Sequence, residues 1–169
     1  MNSLFRLLEF SDYLNSEKSL SCNIHTTYIQ QLKVLTVMTI KVADEVWIGC
    51  ALLHTENPGR ESFSTREIVD RVAQENIYGR LRPGVQVHVS LHCVANLRPN
   101  PGNYTILYQV ERGRYRLFKK GKDDYHPYRE GGKIRPEKVD IPDKYNYLVD
   151  WYENEYIQSS ATRSKFCYR

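Results

Sequence analysis

The sequence lacks several features that would assign it to a large class of proteins. No run of apolar residues is long enough to cross a bilayer, so we expect no membrane-spanning helix. Neither the glycine-rich phosphate-binding patterns, nor the GxSxG of serine hydrolases, nor the HExxH of metalloproteases occurs. We therefore predict that the chain is not an enzyme and needs no cofactor.

The few cysteines do not have the close spacing that is typical of metal sites and of disulfide-rich proteins. The four cysteines, Cys22, Cys50, Cys93 and Cys167, lie far apart and form no CxxC pair. Cys50 and Cys93 stand within apolar patterns, where a free thiol behaves as a small hydrophobic residue. The opening "MNSLFRLLEF" has no small-residue cleavage site and is a poor signal peptide. These observations predict no zinc knuckle, no disulfides and a reducing, cytoplasmic location.

Basic and acidic residues are unevenly distributed along the chain, whose net charge is +4. From residue 76 to residue 135, twelve basic side chains outnumber four acidic ones, whereas segments 44–75 and 136–158 are both acidic. A basic middle between acidic flanks is expected where one face of a protein meets a polyanion. The simpler alternative is a solvated, loop-rich region whose basic residues only maintain solubility.

Two helices are predicted in the first strongly patterned part of the chain. Asp44 is a candidate N-cap, and apolar residues then recur at helical spacing until an Asn-Pro-Gly sequence ends the helix. Phe63 is predicted to lie in a short extended segment. Ser64 with Glu67 three residues later forms a capping box for a second amphipathic helix, which we expect to end near Gly79.

A hairpin and a last helix are predicted nearer the C-terminus. Residues 104–110 and 114–118 have the pattern of two strands joined by a turn at Gly113. The segment after them is polar and interrupted by glycine and proline, which favours a basic loop. Pro142 lies near the start of a final helix that places four large side chains on one face. These are Tyr145, Leu148, Tyr152 and Tyr156.

The stretch "VQVHVSLHCVAN", residues 85–96, allows more than one interpretation. Its alternation of apolar and polar residues is typical of a half-buried strand. On a helix, Val85, Val89 and Cys93 would instead form one apolar stripe. The element order favours the helix. The chain is predicted to form a helix, a short extended segment, a second helix, this stretch and then a hairpin. That is the order of a winged helix in which this stretch is the DNA-reading third helix.

The polar residues of this stretch are the predicted base-reading residues. Gln86 and Ser90 fall together on one side of the helix, and His88 and His92 fall together between apolar stripes. We predict that these four side chains contact base edges in the major groove.

Contacts with the DNA backbone are predicted for basic residues around the hairpin. The sequence "ERGRYR" carries three arginines close to its turn, within reach of phosphates or a minor groove. Phosphate contacts provide affinity and salt dependence, whereas base contacts choose the sequence. The predicted backbone contacts are Arg82, Arg98, Arg112, Arg114, Arg116, Lys119, Lys120, Arg129 and Lys133.

Two metal-dependent alternatives stay open, although both are disfavoured. His88 and His92 are spaced as two ligands on one helical face would be, but no residue is fixed as a third ligand. Conceivable third ligands are His25, His54, His126 and Cys93. The loop "DDYHPYREGGK" is loosely similar to a nuclease centre, but it lacks the D/ExK spacing. Its candidate residues are Asp123, Asp124, Glu130 and Lys133.

Between Asp44 and about Phe118 the chain contains "EVWIGCALL", "FSTREIVDRV", the stretch after it and "GRYRLF". Through these features it resembles the HARE-HTH type of winged helix, found in ASXL-like chromatin proteins and some restriction-modification proteins. The resemblance implies a DNA-binding winged helix, with base modification as a candidate signal. The span from Asp44 to Tyr156 also resembles an uncharacterised prokaryotic family of small proteins, through "HVSLHCVAN", "HPYREGGKI" and "YLVDWY".

Together these patterns predict an α+β protein with a winged-helix domain over 42–120, made of three helices and a two- to three-stranded wing. Residues 1–41 lack glycine and proline and form a predicted extension that could be poorly ordered, with Met38 as a candidate for the true start. A basic loop and a C-terminal aromatic helix over 121–158 are expected to pack on the domain, and 159–169 form a tail.

The predicted function is binding of double-stranded DNA, in regulation or in restriction-modification and defence. The alternative is a protein-interaction module, in which the aromatic last helix forms a homodimer seam or docks a partner. Its aromatic side chains could also stack on exposed bases, but packing on the domain is the favoured interpretation. They are Tyr145, Tyr147, Trp151, Tyr152 and Tyr156.

Overall fold

The computed structural model describes residues 40–159. Nearly all of the predicted extension, with the proposed start at Met38, and the tail after Ser159 lie outside the described residues, as do His25, Cys22 and Cys167. Within the described part, the chain is an α+β protein with four helices and a three-stranded antiparallel sheet. No helix found between residues 40 and 159 has the length and apolar character needed to span a membrane.

Helix α1 (Val42–Glu56) lies at the centre of the fold. Every residue from Ala43 to Leu52 is buried, because neighbouring elements cover all sides of the helix. The helix begins before Asp44 and has Lys41 at its N-cap, so the prediction of Asp44 as the cap was wrong. The Asp44 carboxylate instead lies 2.7 Å from the Lys133 ammonium group in an ion pair.

Helix α2 (Thr65–Glu75) begins at the predicted capping box. The Ser64 hydroxyl accepts a hydrogen bond from the backbone N–H of Glu67, and the Glu67 carboxylate accepts one from the backbone N–H of Ser64. The helix ends earlier than the predicted Gly79, because Asn76 adopts a left-handed backbone conformation with φ of 47°. The predicted helix and its cap are therefore confirmed, and its end was placed too late.

The ambiguous stretch forms a helix. Helix α3 (Gly84–Val87) continues into a π-helical turn over His88–His92. The predicted apolar stripe of Val85, Val89 and Cys93 is buried, and α3 contacts both α1 and α2. Burial of this stripe outweighs the weak helix propensity of its β-branched residues.

The sheet has the order β1–β3–β2, with β1 (Phe63–Ser64), β2 (Leu107–Glu111) and β3 (Arg114–Leu117) all antiparallel. The hairpin between β2 and β3 turns at Gly113, whose φ is 76°, as the sequence predicted. The backbone N–H of Thr65 donates to the Gly113 carbonyl at 3.2 Å. The turn between the two strands has only two residues, and this hydrogen bond holds the tip of the hairpin against the start of α2.

Helix α4 (Asn146–Trp151) continues into a second π-helical turn over Tyr152–Tyr156. The Tyr152 ring packs edge-on against Trp47 of α1, with ring centroids 5.8 Å apart. The Tyr156 hydroxyl donates to the Leu117 carbonyl at 2.9 Å. The whole face of this helix that the sequence predicted to be apolar is buried. Its members are Tyr145, Leu148, Tyr152 and Tyr156.

The core also contains groups with potential chemistry. Cys50 and Cys93 are buried free thiols, and burial raises the pKa of both. His54 lies between the rings of Phe63 and Tyr156, each with its centroid 4.9 Å away. Burial, with the nearby charges of Lys119 and Arg116, lowers the pKa of His54 to about 3. These three groups are therefore held in their neutral forms at physiological pH.

His54 should make the fold sensitive to acid. In the unfolded chain its imidazole titrates near 6.5, but in the folded chain it stays neutral down to a pKa of about 3. The unfolded state therefore binds a proton that the folded state does not, so the free energy of unfolding falls as the pH drops below about 6.5. Urea titrations should show a slope approaching about 1.4 kcal/mol per pH unit. A His54→Gln variant should have a flatter profile, and an identical slope in the two proteins would contradict this assignment.

Candidate nucleic-acid interface

The solvent-facing side of α3 carries one amide and one aliphatic side chain. Gln86 is exposed, and Val87 is 44% exposed. Ser90 is half-buried, and its hydroxyl donates to the Gln86 carbonyl at 2.9 Å, which leaves its oxygen free only as an acceptor. This side of α3 can therefore make a bidentate polar contact through Gln86 and an apolar contact through Val87.

His88 and His92 form a half-buried pair on α3. Their rings meet edge-to-face with centroids 4.9 Å apart, and His88 Nδ1 lies 2.8 Å from the Gly84 carbonyl. Desolvation is the main cause that lowers the pKa of His88, and the nearby His92 acts in the same direction. In residues 40–159 no group of three or more His, Cys, Asp or Glu side chains is arranged to hold a metal ion. The two predicted base-reading histidines thus offer less surface to a ligand than Gln86 does.

Arg129 does not have the surface position that a phosphate contact requires. It is fully buried, and its guanidinium donates to carbonyl oxygens at the end of α3 and in the loop that follows. The acceptors are the carbonyls of Leu97 at 2.6 Å, His92 at 2.9 Å, Leu91 at 3.0 Å, and Tyr104. Arg129 was predicted as a DNA backbone contact, but its charge is solvated by the protein's own peptide groups, so the structure gives that prediction no support.

Two basic side chains near the hairpin, Arg116 and Lys119, also form their contacts inside the fold. Arg116 is buried and forms a two-pronged ion pair with Asp123, with both N–O distances 2.6 Å. Lys119 is buried as well, and its ammonium donates to the carbonyl and hydroxyl of Ser159, both at 3.0 Å. Both were predicted as phosphate contacts, but acceptors within the fold take up their donors, so the structure gives these two predictions no support.

Lys133 and Arg82 pair with carboxylates of α1 rather than facing solvent. Lys133 lies between Asp44, at 2.7 Å, and Asp140, at 3.1 Å. Arg82 contacts the buried carboxylate of Glu45 at 2.6 Å. Their predicted role as phosphate contacts would therefore require a phosphate to compete with these carboxylates. Asp123 pairs with Arg116 and Lys133 pairs with Asp44 and Asp140, so these two residues of the suggested nuclease centre have separate partners.

Arg114 occupies an intermediate position at the hairpin. Its guanidinium donates to the Ser62 carbonyl at 2.7 Å and lies 3.2 Å from the Glu111 carboxylate. The side chain is about one-third exposed, at 34%. A phosphate could reach it only in competition with these two acceptors.

Three of the nine predicted backbone contacts remain on the surface with no ion pair among the described residues. These are Arg98, Arg112 and Lys120. Arg112 lies in the hairpin turn, and Arg98 lies over the ring of Tyr128, with its guanidinium carbon 5.5 Å from the ring centroid. The exposed positive charge is therefore spread over the molecule more thinly than the sequence predicted.

Two further exposed arginines were missed by the sequence reasoning. Arg66 lies in the first turn of α2, next to the residue that holds the hairpin tip, and its only ion pair in the described residues is a long one of 3.6 Å with Asp70. Arg80 is exposed in the loop between α2 and α3. Their positions beside the predicted helix-turn-helix could have identified both.

The interface assembled in this way has a polar and an aliphatic contact on α3 and a sparse set of exposed arginines around it. No protein-family model, no curated protein and no solved structure matches the chain.

Proposed function

We propose that this chain is a winged-helix protein that binds double-stranded DNA and reads it with α3. The observation that carries the proposal is the position of α3, which contacts α1 and α2 on one side and presents Gln86 and Val87 on the other. In helix-turn-helix proteins the helix in this place enters the major groove with its first residues at the base edges. Both side chains lie in the first turn of α3.

The two exposed side chains suit an A·T pair. A glutamine amide matches the N6 and N7 groups of adenine, and an aliphatic side chain packs against the methyl group of thymine. Ser90 could add an acceptor, since its hydroxyl proton is engaged by the Gln86 carbonyl. The proposed family is the HARE-HTH type of winged helix. The proposed process is regulation or restriction-modification.

Contacts with the DNA backbone are proposed for fewer residues than the sequence predicted. Arg112 in the hairpin turn and Arg66 at the start of α2 are the chain neighbours of Gly113 and Thr65, whose backbones are hydrogen-bonded to each other. The backbones of the two arginines therefore lie close together. Arg80 and Arg98 are the other exposed arginines near α3 in sequence. With about four phosphates contacted, the logarithm of the binding constant should fall with a slope of about −4 against the logarithm of salt concentration.

The proposal is tested by titrating labelled duplexes with the protein and following fluorescence anisotropy over a salt series. Arg112→Gln should weaken binding to every duplex and reduce the salt slope by about one. Gln86→Ala should mainly remove the preference for duplexes with a central A·T pair, by about 1–3 kcal/mol. Matched unmodified and methylated duplexes would reveal any response to base modification.

Lys144→Gln serves as the charge-matched control, because Lys144 is exposed next to α4, away from α3 in the chain. It should leave duplex binding nearly unchanged. Absence of binding at low salt would overturn the proposal. A loss of binding in Gln86→Ala that is equal for all duplexes would count against base reading by α3.

A protein-interaction function has less support. The aromatic face on which it relied is covered by α1 and the sheet, as the contacts of Tyr152 and Tyr156 show. Tyr147 is the aromatic residue of α4 that remains well exposed, at 55%. A single exposed ring is a small basis for a stable interface, which normally buries a cluster of apolar side chains.

A further inference from the structure

The loop after the sheet exposes aromatic rings to solvent. Tyr128 is 67% exposed and Tyr125 is 46% exposed, although each ring would gain free energy from burial. Tyr128 lies within the short 3₁₀ turn over Pro127–Arg129, and Tyr125 lies just before that turn, next to His126. The duplex-reading role assigned to α3 does not use these rings.

The exposure of Tyr128 is imposed by the fold. The neighbouring Arg129 is fully buried and anchored to four peptide carbonyls, so the backbone beside Tyr128 has a defined position. On the other side, the backbone N–H of His126 donates to the Ala95 carbonyl at 2.9 Å. The imidazole of His126 also accepts from the backbone N–H of Tyr128, at 3.2 Å. Tyr128 therefore extends from a pinned segment.

The guanidinium group of Arg98 lies next to the exposed ring of Tyr128. The guanidinium carbon of Arg98 lies 5.5 Å from the Tyr128 ring centroid, and Arg98 forms no ion pair with any described residue. A guanidinium next to an aromatic ring can bind a phosphate and stack on a base. The pair thus combines a flat apolar surface with a free positive charge.

We propose that Tyr128 and Arg98 form a stacking site for an unpaired base of single-stranded nucleic acid, with Tyr128 under the base and Arg98 at the adjoining phosphate. Base–aromatic stacking next to a basic side chain is the common chemistry of single-strand binding and requires only one pinned ring per base. A protein partner would require a larger apolar cluster than this pair offers. The site goes beyond the proposed reading of duplex DNA. It shares Arg98 with the proposed duplex contacts, but it uses neither Gln86 nor any other residue of α3.

The charges around the site affect how binding should respond to salt. Asp124 and Glu130 are both exposed and flank the aromatic segment, so they oppose a general attraction of phosphates. Stacking should therefore dominate, and the salt dependence should be shallow, with roughly one phosphate contacted. Duplex binding through α3 and the dispersed arginines should be steeper.

The experiment uses the full chain and a fluorescein-labelled oligothymidine of about ten nucleotides, within the site sizes of single-strand binding domains. Anisotropy should show saturable binding that Tyr128→Ala weakens by about tenfold or more, whereas Tyr128→Phe, which keeps the ring, retains it. Arg98→Gln should remove most of the salt dependence. Tyr147→Ala is the matched control, because it deletes another exposed tyrosine outside the site and should have no effect.

The outcomes separate this site from the duplex-reading function. Gln86→Ala should leave oligothymidine binding unchanged even where it alters duplex preference. The stacking site is overturned if the wild-type protein does not bind oligothymidine, or if Tyr128→Ala binds it as tightly. It is also overturned if Tyr128→Ala abolishes self-association without any oligonucleotide binding by the wild type, since Tyr128 would then contact protein. Loss of duplex binding alone would count against α3 and not against this site.

Discussion

Replacing Arg129 with alanine should lower the free energy of unfolding by about 4 kcal/mol or more, a loss comparable to the whole stability of many domains. The guanidinium donates to peptide carbonyls at the end of α3 and in the following loop, and the alanine variant would remove this shared donor from all of them. Each hydrogen bond to a charged group typically contributes about 1.5–3 kcal/mol, and an unsatisfied buried group adds its desolvation cost. The effect should be seen in urea unfolding followed by circular dichroism.

Two variants isolate the cause of that loss. Arg129→Lys keeps the charge, but an ammonium cannot reproduce the planar fork that spans several carbonyls, so it should recover only part of the stability. Arg98→Ala removes an exposed arginine that interacts with the same segment through Tyr128, and it should change stability by less than about 0.5 kcal/mol. A small effect of Arg129→Ala, below about 1 kcal/mol, would show that the loop and α3 are held by other contacts.

Replacing Gly49 with valine should destabilise the fold by about 3 kcal/mol, because α2 lies directly against α1 at this position. A Cβ atom added at Gly49 would lie 2.5 Å from Val72 Cγ2 and 3.6 Å from the carbonyl oxygen of Ile68. The first distance is far inside van der Waals contact, so the helices must separate or the Val72 side chain must leave its position. Denaturant titration of the variant would measure the loss.

The same crossing provides a double-mutant test. In the wild-type background Gly49→Ala should be destabilising, even though alanine is about 1 kcal/mol better than glycine within a helix. In a Val72→Ala background the clash is removed, so Gly49→Ala should become neutral or stabilising. Equal effects in the two backgrounds would show that the close approach to Val72 does not constrain the packing of α1 on α2.

Local sequence signals correctly predicted the elements whose stability depends on neighbours along the chain. The capping box of Ser64 and Glu67 marked the start of α2, and Gly113 marked a turn that requires a positive φ. The aromatic face of α4 followed from helical spacing. Each of these features involves residues that are a few positions apart, so the backbone conformation follows from sequence separation alone.

The conformation of α3 could not be decided in that way. Its residues alternate as in a strand, and their intrinsic propensities favour a strand more than a helix. Contacts of Val85, Val89 and Cys93 with α1 and α2 supply the burial that makes the helix the better solution. Only the order of the neighbouring elements carried this information in the sequence, since the burial depends on helices that are distant along the chain.

The sequence by itself determined the α+β composition, the order of elements and the presence of a basic middle segment. The partner of each charge was decided only by the tertiary structure. Arg129 is solvated by peptide groups more than 20 positions away, and Arg82 pairs with Glu45, 37 positions away. A count of charges cannot separate such buried cations from Arg112 or Arg98 at the surface. Whether a cation is free to bind a ligand depends on which acceptors folding brings to it, and those acceptors are set by packing between distant segments.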